Sequence, residues 1–203
     1  MEVTQITDYN GRRDNAYALL ALPSKETQNQ ILSLLTIIKN EFGAGLWTMP
    51  AKDLHITLCE IIQPKPYSQD KQRLYDINAA AYENVPAQIL KNFKPIKVHF
   101  NAVAVSPQAI FISGEDDGDG SFNKIRKELT DKMPLPDETK LPPDIVHSSI
   151  ARFTEVLDLG KLKQIVAKHT ISCDEFVKEF KLVNVLVPPF QQYKVIRTYR
   201  LGE

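Results

Sequence analysis

The chain has 203 residues, 43% of them hydrophobic, and its 25 basic side chains balance 25 acidic ones for a formal net charge of +0. That length supports one sizeable core or two small fused lobes. The balance of charge excludes a protein that coats long nucleic acid through a broad positive field, while a small anion held by a few local donors is compatible with it.

In chain order, residues 17–22 form a short apolar run ended by Pro23 and read as a buried strand. Ser24 offers a helix cap, and Ile31, Leu34, Leu35, Ile38 and Phe42 recur at helical spacing until Gly43. A second strand is expected over residues 54–62, broken by Pro64 and Pro66. After it comes a helix capped by Ser68 and carrying Leu74, Ile77 and Ala81. Residues 96–105 and 109–113 read as a hairpin turning at Ser106-Pro107-Gln108. Ser121 opens a helix with Phe122, Ile125 and Leu129 on one face. A strand over residues 145–153 and a helix over 159–168 follow, and strands at 181–187 and 194–201 are joined through Pro188-Pro189-Phe190. Strand, helix, strand thus occurs in each half of about 90 residues. The fold expected is α+β, two similar lobes in one continuous domain over 1–203, with residues 1–13 as an N-terminal extension. The acidic loop from Glu115 to Gly120 is the expected flexible spot. Read as a calcium loop it fails, because Arg126 stands where a glutamate is needed.

Apolar runs fall far short of the roughly 20 residues that span a bilayer. Met1-Glu2-Val3-Thr4-Gln5 lacks the order of a secretory signal. Cys59 and Cys173 stand far apart with no CxxC spacing and read as reduced thiols. A cytoplasmic, membrane-free monomer is expected.

Two of the four histidines share a context. Asp53-Leu54-His55-Ile56-Thr57-Leu58 and Ile145-Val146-His147-Ser148-Ser149-Ile150 both spell His-x-(Ser/Thr)-aliphatic inside an expected strand. Positions i and i+2 of a strand face the same side, so His55 projects with Thr57 and His147 with Ser149. With ordinary residue usage, such a duplication arises by chance on the order of once in a hundred. Strict alternation also puts Cys59 on the His55 side and turns Arg152 away from His147, though Arg152 at the strand end has an even claim to the ligand.

The paired motifs resemble those of the two-histidine phosphoesterase superfamily, which includes the RNA ligase-like 2′,3′-cyclic phosphodiesterases. The second motif with its tail, His147-Ser-Ser-Ile-Ala-Arg152, carries the likeness furthest. Ser148 departs from the pattern, where a hydrophobic residue is commoner, but it faces away from His147. The resemblance implies a bilobal fold with the motif strands side by side across a central groove.

The chemistry of the residues agrees with that. Two imidazoles flanking one phosphate suit in-line displacement, since one takes a proton as the other gives one. The Thr57 and Ser149 hydroxyls can hold the non-bridging oxygens. Neither a metal nor another cofactor is required. His147 is taken as base and His55 as acid, a nearly even division. Tyr17, Trp47, Phe111, Phe190 and Tyr193 are candidates for a wall stacked on a base; Tyr17 and Phe111 are carried forward as substrate-binding candidates. His99 and His169 read as structural. The substrate expected is a nucleotide or RNA end, first a 2′,3′-cyclic phosphate, second a 2′,5′-linked oligonucleotide. The rivals are a groove that binds such ends without turnover and a metallohydrolase using the histidines as ligands. The second of these lacks a third ligand at a plausible spacing.

Overall fold

The structure is a computed structural model that describes residues 13–42, 45–67, 69–116, 118–140 and 144–202. The first apolar run is β1 (Ala16–Ala21), and every one of its residues is buried, as suits a strand covered on both faces. It lies between β3 (Ile56–Ile62) and β8 (Glu179–Val187), and β9 (Gln192–Arg200) extends the sheet past β8. The second sheet has the order β2 (Leu46–Thr48), β6 (Val146–Phe153), β5 (Ile110–Asp116), β4 (Ile96–Val105), β7 (Cys173–Val177). Every pairing in both sheets is antiparallel. This is the expected α+β, two-lobed arrangement.

The lobes, however, are not the two halves of the sequence. The C-terminal strands β8 and β9 complete the N-terminal sheet, and β2 crosses to the edge of the other. The helices cross as well. Helix α1 (Lys25–Phe42) follows β1 but packs with α4 (Leu159–Val166) on the second sheet. Helix α2 (Lys71–Leu90) touches β9, and α3 (Ser121–Lys132), which follows β5, packs on β3 of the first sheet.

Each helix is defined by a stripe and a cap. Ile31, Leu34, Leu35 and Ile38 give α1 one buried face, and the Ser24 hydroxyl accepts from the Thr27 amide at 3.3 Å. The stop assigned to Gly43 lies outside the described residues. So does Ser68; the cap of α2 is Asp70, which accepts from the Arg73 amide at 2.9 Å. Asp158 caps α4 through the Gly160 and Lys161 amides. Asp116, in the acidic stretch expected to be flexible, accepts from the Gly120 and Phe122 amides at 3.2 and 2.8 Å and so fixes the entry to α3; Asp117 lies outside the described residues. Of the expected N-terminal extension, residues 1–12 also lie outside them. From Asp14 onward the chain is anchored, by its amide on the Leu186 carbonyl at 2.8 Å and by Lys71 at 2.6 Å.

Two strands have no counterpart in the sequence reading. β2 is three residues long. β7 is an edge strand whose inward residues, Cys173, Glu175 and Val177, include a carboxylate, which spoils the apolar alternation. That carboxylate accepts from the Ser24 amide at 2.7 Å. Cys59 and Cys173 are both free, buried thiols on different sheets. Among the described residues no helix is long and apolar enough to cross a membrane.

Ser148 is 1% exposed, and its hydroxyl meets no hydrogen-bond partner among the described residues. A buried, unsatisfied hydroxyl is destabilising. Ser148→Ala is therefore expected to stabilise the fold by about 1 kcal/mol, raising Tm by roughly 2–4 °C for a chain of this size; calorimetry that finds a lower Tm would show the hydroxyl to be satisfied.

Candidate active site

The two motif strands meet at the seam between the sheets, where β3 contacts β6 and the Met49 amide donates to the Ile150 carbonyl at 2.8 Å. Strict alternation fails in both of them, at the same place. In β3, Leu20 pairs with Thr57 but Leu19 pairs with Cys59, so Leu58 is an extra residue. In β6, Phe111 pairs with Ser149 but Ile110 pairs with Ala151, so Ile150 is extra. A bulge of one residue exchanges the two faces for everything downstream. Cys59, which alternation puts on the His55 side, is instead an apolar filler buried in the core, and Glu60 takes the groove face. Arg152, expected to alternate away from His147, lines the groove beside it. The duplicated unit is thus longer than the sequence suggests: His55-x-Thr57-x-x-Glu60 and His147-x-Ser149-x-x-Arg152. His55 itself sits one residue before β3, at the exit of a single 3-10 turn, Ala51–Asp53.

An enclosed cavity of about 140 Å³ brings together His55, Thr57, Glu60, His147, Ser149 and Arg152. A more open pocket of about 430 Å³ shares all of these except His55 and adds Phe111, Gln63 and Arg126. The side chains of Thr57 and Ser149 make no hydrogen bond among the described residues, so both hydroxyls are available to a ligand. Arg126, on the buried face of α3, holds the first bulge in shape. Its Nε donates to the Leu58 carbonyl at 2.9 Å and its Nη2 to the Thr57 carbonyl at 3.1 Å.

The surroundings of the two imidazoles differ. The His55 Nδ1–H donates to the Asp53 carbonyl at 2.7 Å, which fixes Nε2 as the nitrogen with the lone pair. Phe190 stacks on the ring at 3.9 Å and 27°. Burial pushes the His55 pKa down to about 4, the Asp53 bond opposing this and the nearby Arg152 and His147 adding to it. His147 meets Phe111 edge-on at 5.7 Å. Burial lowers its pKa too, opposed by the Ile145 backbone and assisted by Arg126 and Arg152. Glu60 is raised by burial and drawn back by Gln63, Arg152 and Lys65. Cys59 is pushed up to about 12 by burial and is no nucleophile.

The remaining candidates separate cleanly. Phe111 lines the open pocket. Tyr17 lines the enclosed one, but its ring lies 4.1 Å from Tyr75 in a parallel stack and its hydroxyl donates to Gln72, so it is a packed wall of the cavity. Trp47 pairs with Arg152 across β2 and β6. Tyr193 packs on Phe190 at 5.2 Å. His99 is exposed beside Asp174 at 2.7 Å, and His169 lies 2.9 Å from Glu41, both remote from the groove. Glu60 and Arg126 escaped sequence reasoning. Glu60 depends on a bulge that no periodicity reveals. Arg126 left a signal, a cation among Phe122, Ile125 and Leu129 on an apolar helical face.

No protein-family model matches the chain, and no curated protein matches it in sequence. Solved structures do. Escherichia coli LigT complexed with NADP+ superposes with a TM-score of 0.65 at 11% identity, covering 93% of this chain and 99% of that one. Other LigT structures hold phosphate, ATP or 3′-AMP. A conserved protein of Agrobacterium tumefaciens gives 0.63 at 12% identity over 95% and 87% of the two chains. A Thermus thermophilus protein gives 0.62 at 16% identity over 92% and 98%. The likeness covers more than nine-tenths of this chain and is one of fold: the chain has the bilobal fold of the two-histidine phosphoesterases.

Proposed function

We propose that the protein is a metal-independent phosphodiesterase of the two-histidine superfamily, acting on a nucleotide or RNA-end phosphodiester, with a 2′,3′-cyclic phosphate as first substrate. The observation that carries this reading is that one cavity is lined by both histidines and by the hydroxyl that follows each of them. The phosphate and nucleotide complexes of LigT, which shares the fold, support the substrate class.

In this mechanism a water attacks phosphorus in line with the departing ribose oxygen. His55 Nε2 accepts the water's proton, and the positive charge that forms is steadied by the Nδ1–H bond to the Asp53 carbonyl. His147 gives its proton to the leaving oxygen, so a diester becomes a monoester with one water consumed. Thr57, Ser149 and Arg152 hold the non-bridging oxygens. This division reverses the near-even one made from sequence. The stacked Phe190 and the fuller burial of His55 favour keeping the shared proton on His147.

His55→Ala and His147→Ala are each expected to abolish hydrolysis with the fold intact. Thr57→Ala and Ser149→Ala should lower the rate by about 10²–10³ if each hydroxyl donates one bond in the transition state. A panel of 2′,3′-cyclic, 3′,5′-cyclic, 1″,2″-cyclic and 2′,5′-linked nucleotides, assayed with a strong chelator present, reads out both bond and metal dependence. Turnover of the 2′,5′ linkage alone would change the substrate, tight binding without turnover would leave a binding module, and full activity in either histidine variant would refute the mechanism.

The pH profile follows from the sign of the shifts. Catalysis needs one proton on the pair: two protons leave no base and none leaves no acid. Because both pKa values lie below the ordinary histidine value of about 6.5, kcat/KM should be bell-shaped with its centre below pH 6.5 and should fall through neutrality. Bound phosphate raises both values, so the alkaline limb of kcat should sit at higher pH than that of kcat/KM. A kcat/KM profile centred above pH 7 would contradict this assignment.

Arg126→Met keeps the length of the stem but removes both bonds to the bulge. Loss of stability of about 2–4 kcal/mol is expected from the two carbonyls left unpaired, together with a fall in kcat, because Thr57 loses its anchor. Denaturant titration and kinetics on the same variant measure the two effects.

A further inference from the structure

The paired bulges place opposite charges at equivalent positions, Glu60 after the first motif and Arg152 after the second. Both line the enclosed cavity and the open pocket. Glu60 is held in place: the Gln63 side-chain amide donates to its carboxylate at 2.7 Å and also to the Lys140 carbonyl at 3.1 Å, and the Lys140 amide returns a bond to Gln63 at 3.3 Å. Gln63 is itself only 8% exposed. A site that only had to attract phosphate would gain nothing from a half-buried carboxylate fixed in the cavity of the two hydroxyls. Its presence offsets part of the positive charge that Arg152, Lys65 and Arg126 offer a ligand.

We propose that Glu60 is a specificity-determining residue that reads the charge of the bound phosphate, accepting a monoanionic diester and rejecting a dianionic monoester. The proposal rests on the phosphodiesterase reading above and deepens it. Opening a cyclic phosphate turns a monoanion into a monoester that is a dianion above neutral pH. The carboxylate that tolerates the substrate therefore disfavours the product in proportion to its dianionic fraction, which grows above a second pKa of about 6. The charged and titratable groups around Glu60 are Arg152 and Lys65, which favour its ionised form against the burial that opposes it, Arg126 in the open pocket, the adjacent Cys59 thiol, and the two histidines that share its cavity.

The test is calorimetric titration at pH 8 with two probes, inorganic phosphate as the dianion and dimethyl phosphate as the monoanionic diester. Glu60→Gln keeps an acceptor for Gln63 and removes the charge. It should bind inorganic phosphate roughly tenfold more tightly than the wild type, as expected for removing one partly screened like charge from the site, and dimethyl phosphate within about threefold of the wild type. Glu60→Ala should show the same selective gain, and Glu60→Asp should retain the wild-type preference. Equal changes for both probes, weaker phosphate binding, or no change in either neutral variant would overturn the proposal. The titration needs no turnover. A protein that hydrolysed nothing in the nucleotide panel would refute the proposed function while leaving the charge selectivity of Glu60 open to measurement.

Discussion

The surplus residue just after the hydroxyl of each motif determines what the groove contains. Without Leu58 and Ile150, β3 would present Cys59 to the ligand and β6 would bury a guanidinium. With them, the core receives apolar atoms and the groove receives Glu60 and Arg152. A bulge frees backbone carbonyls that a regular ladder would use. In the first strand, at the edge of its sheet, the Thr57 and Leu58 carbonyls at the bulge accept from Arg126 of α3. That helix comes from the part of the chain that builds the opposite sheet, so the shape of one motif is held by a segment of the other lobe.

The two imidazoles are alike in sequence and unlike in setting. His55 lies under Phe190, with one nitrogen committed to a backbone carbonyl; His147 meets only the edge of Phe111 and opens to both pockets. Burial disfavours the protonated form of both rings, and an entering anion stabilises the proton that catalysis requires. A pseudo-symmetric scaffold thereby yields a polar site, its direction set by the aromatic neighbours and by the opposite charges of Glu60 and Arg152.

Much of this was legible in the sequence. The run Tyr17-Ala-Leu-Leu-Ala-Leu, ended by Pro23, reads as a covered strand, and the stripe Ile31, Leu34, Leu35, Ile38 as one face of a helix. The duplicated His-x-(Thr/Ser) unit marked both halves of the groove, because a two-residue period brings each pair to one side whatever happens farther along. The reading failed where local pattern carries no information about register. Alternation alone leaves Arg152 with an even claim to the ligand and Cys59 on the His55 side, because the bulge that turns Arg152 in and Cys59 under is decided by the partner strand. The assignment of strands to sheets was hidden too, since nothing local to β8 says that it lies beside β1, or to β9 that it extends the same sheet. Arg126 was visible as a charge on an apolar stripe, but its partners are the carbonyls of a strand almost 70 positions earlier.

The sheet order bears on how the molecule is made. β1, apolar along its whole length, is flanked by β3 and by β8, and β8 emerges from the ribosome some 160 residues after it. Until then one edge of the greasiest strand in the protein has no native neighbour, the circumstance in which strands recruit foreign ones. Such long-range pairing also makes for slow folding. The nascent chain consequently depends on its last strands to seal its first, and a product truncated before β8 would be left with the adhesive edge of β1 open to other chains.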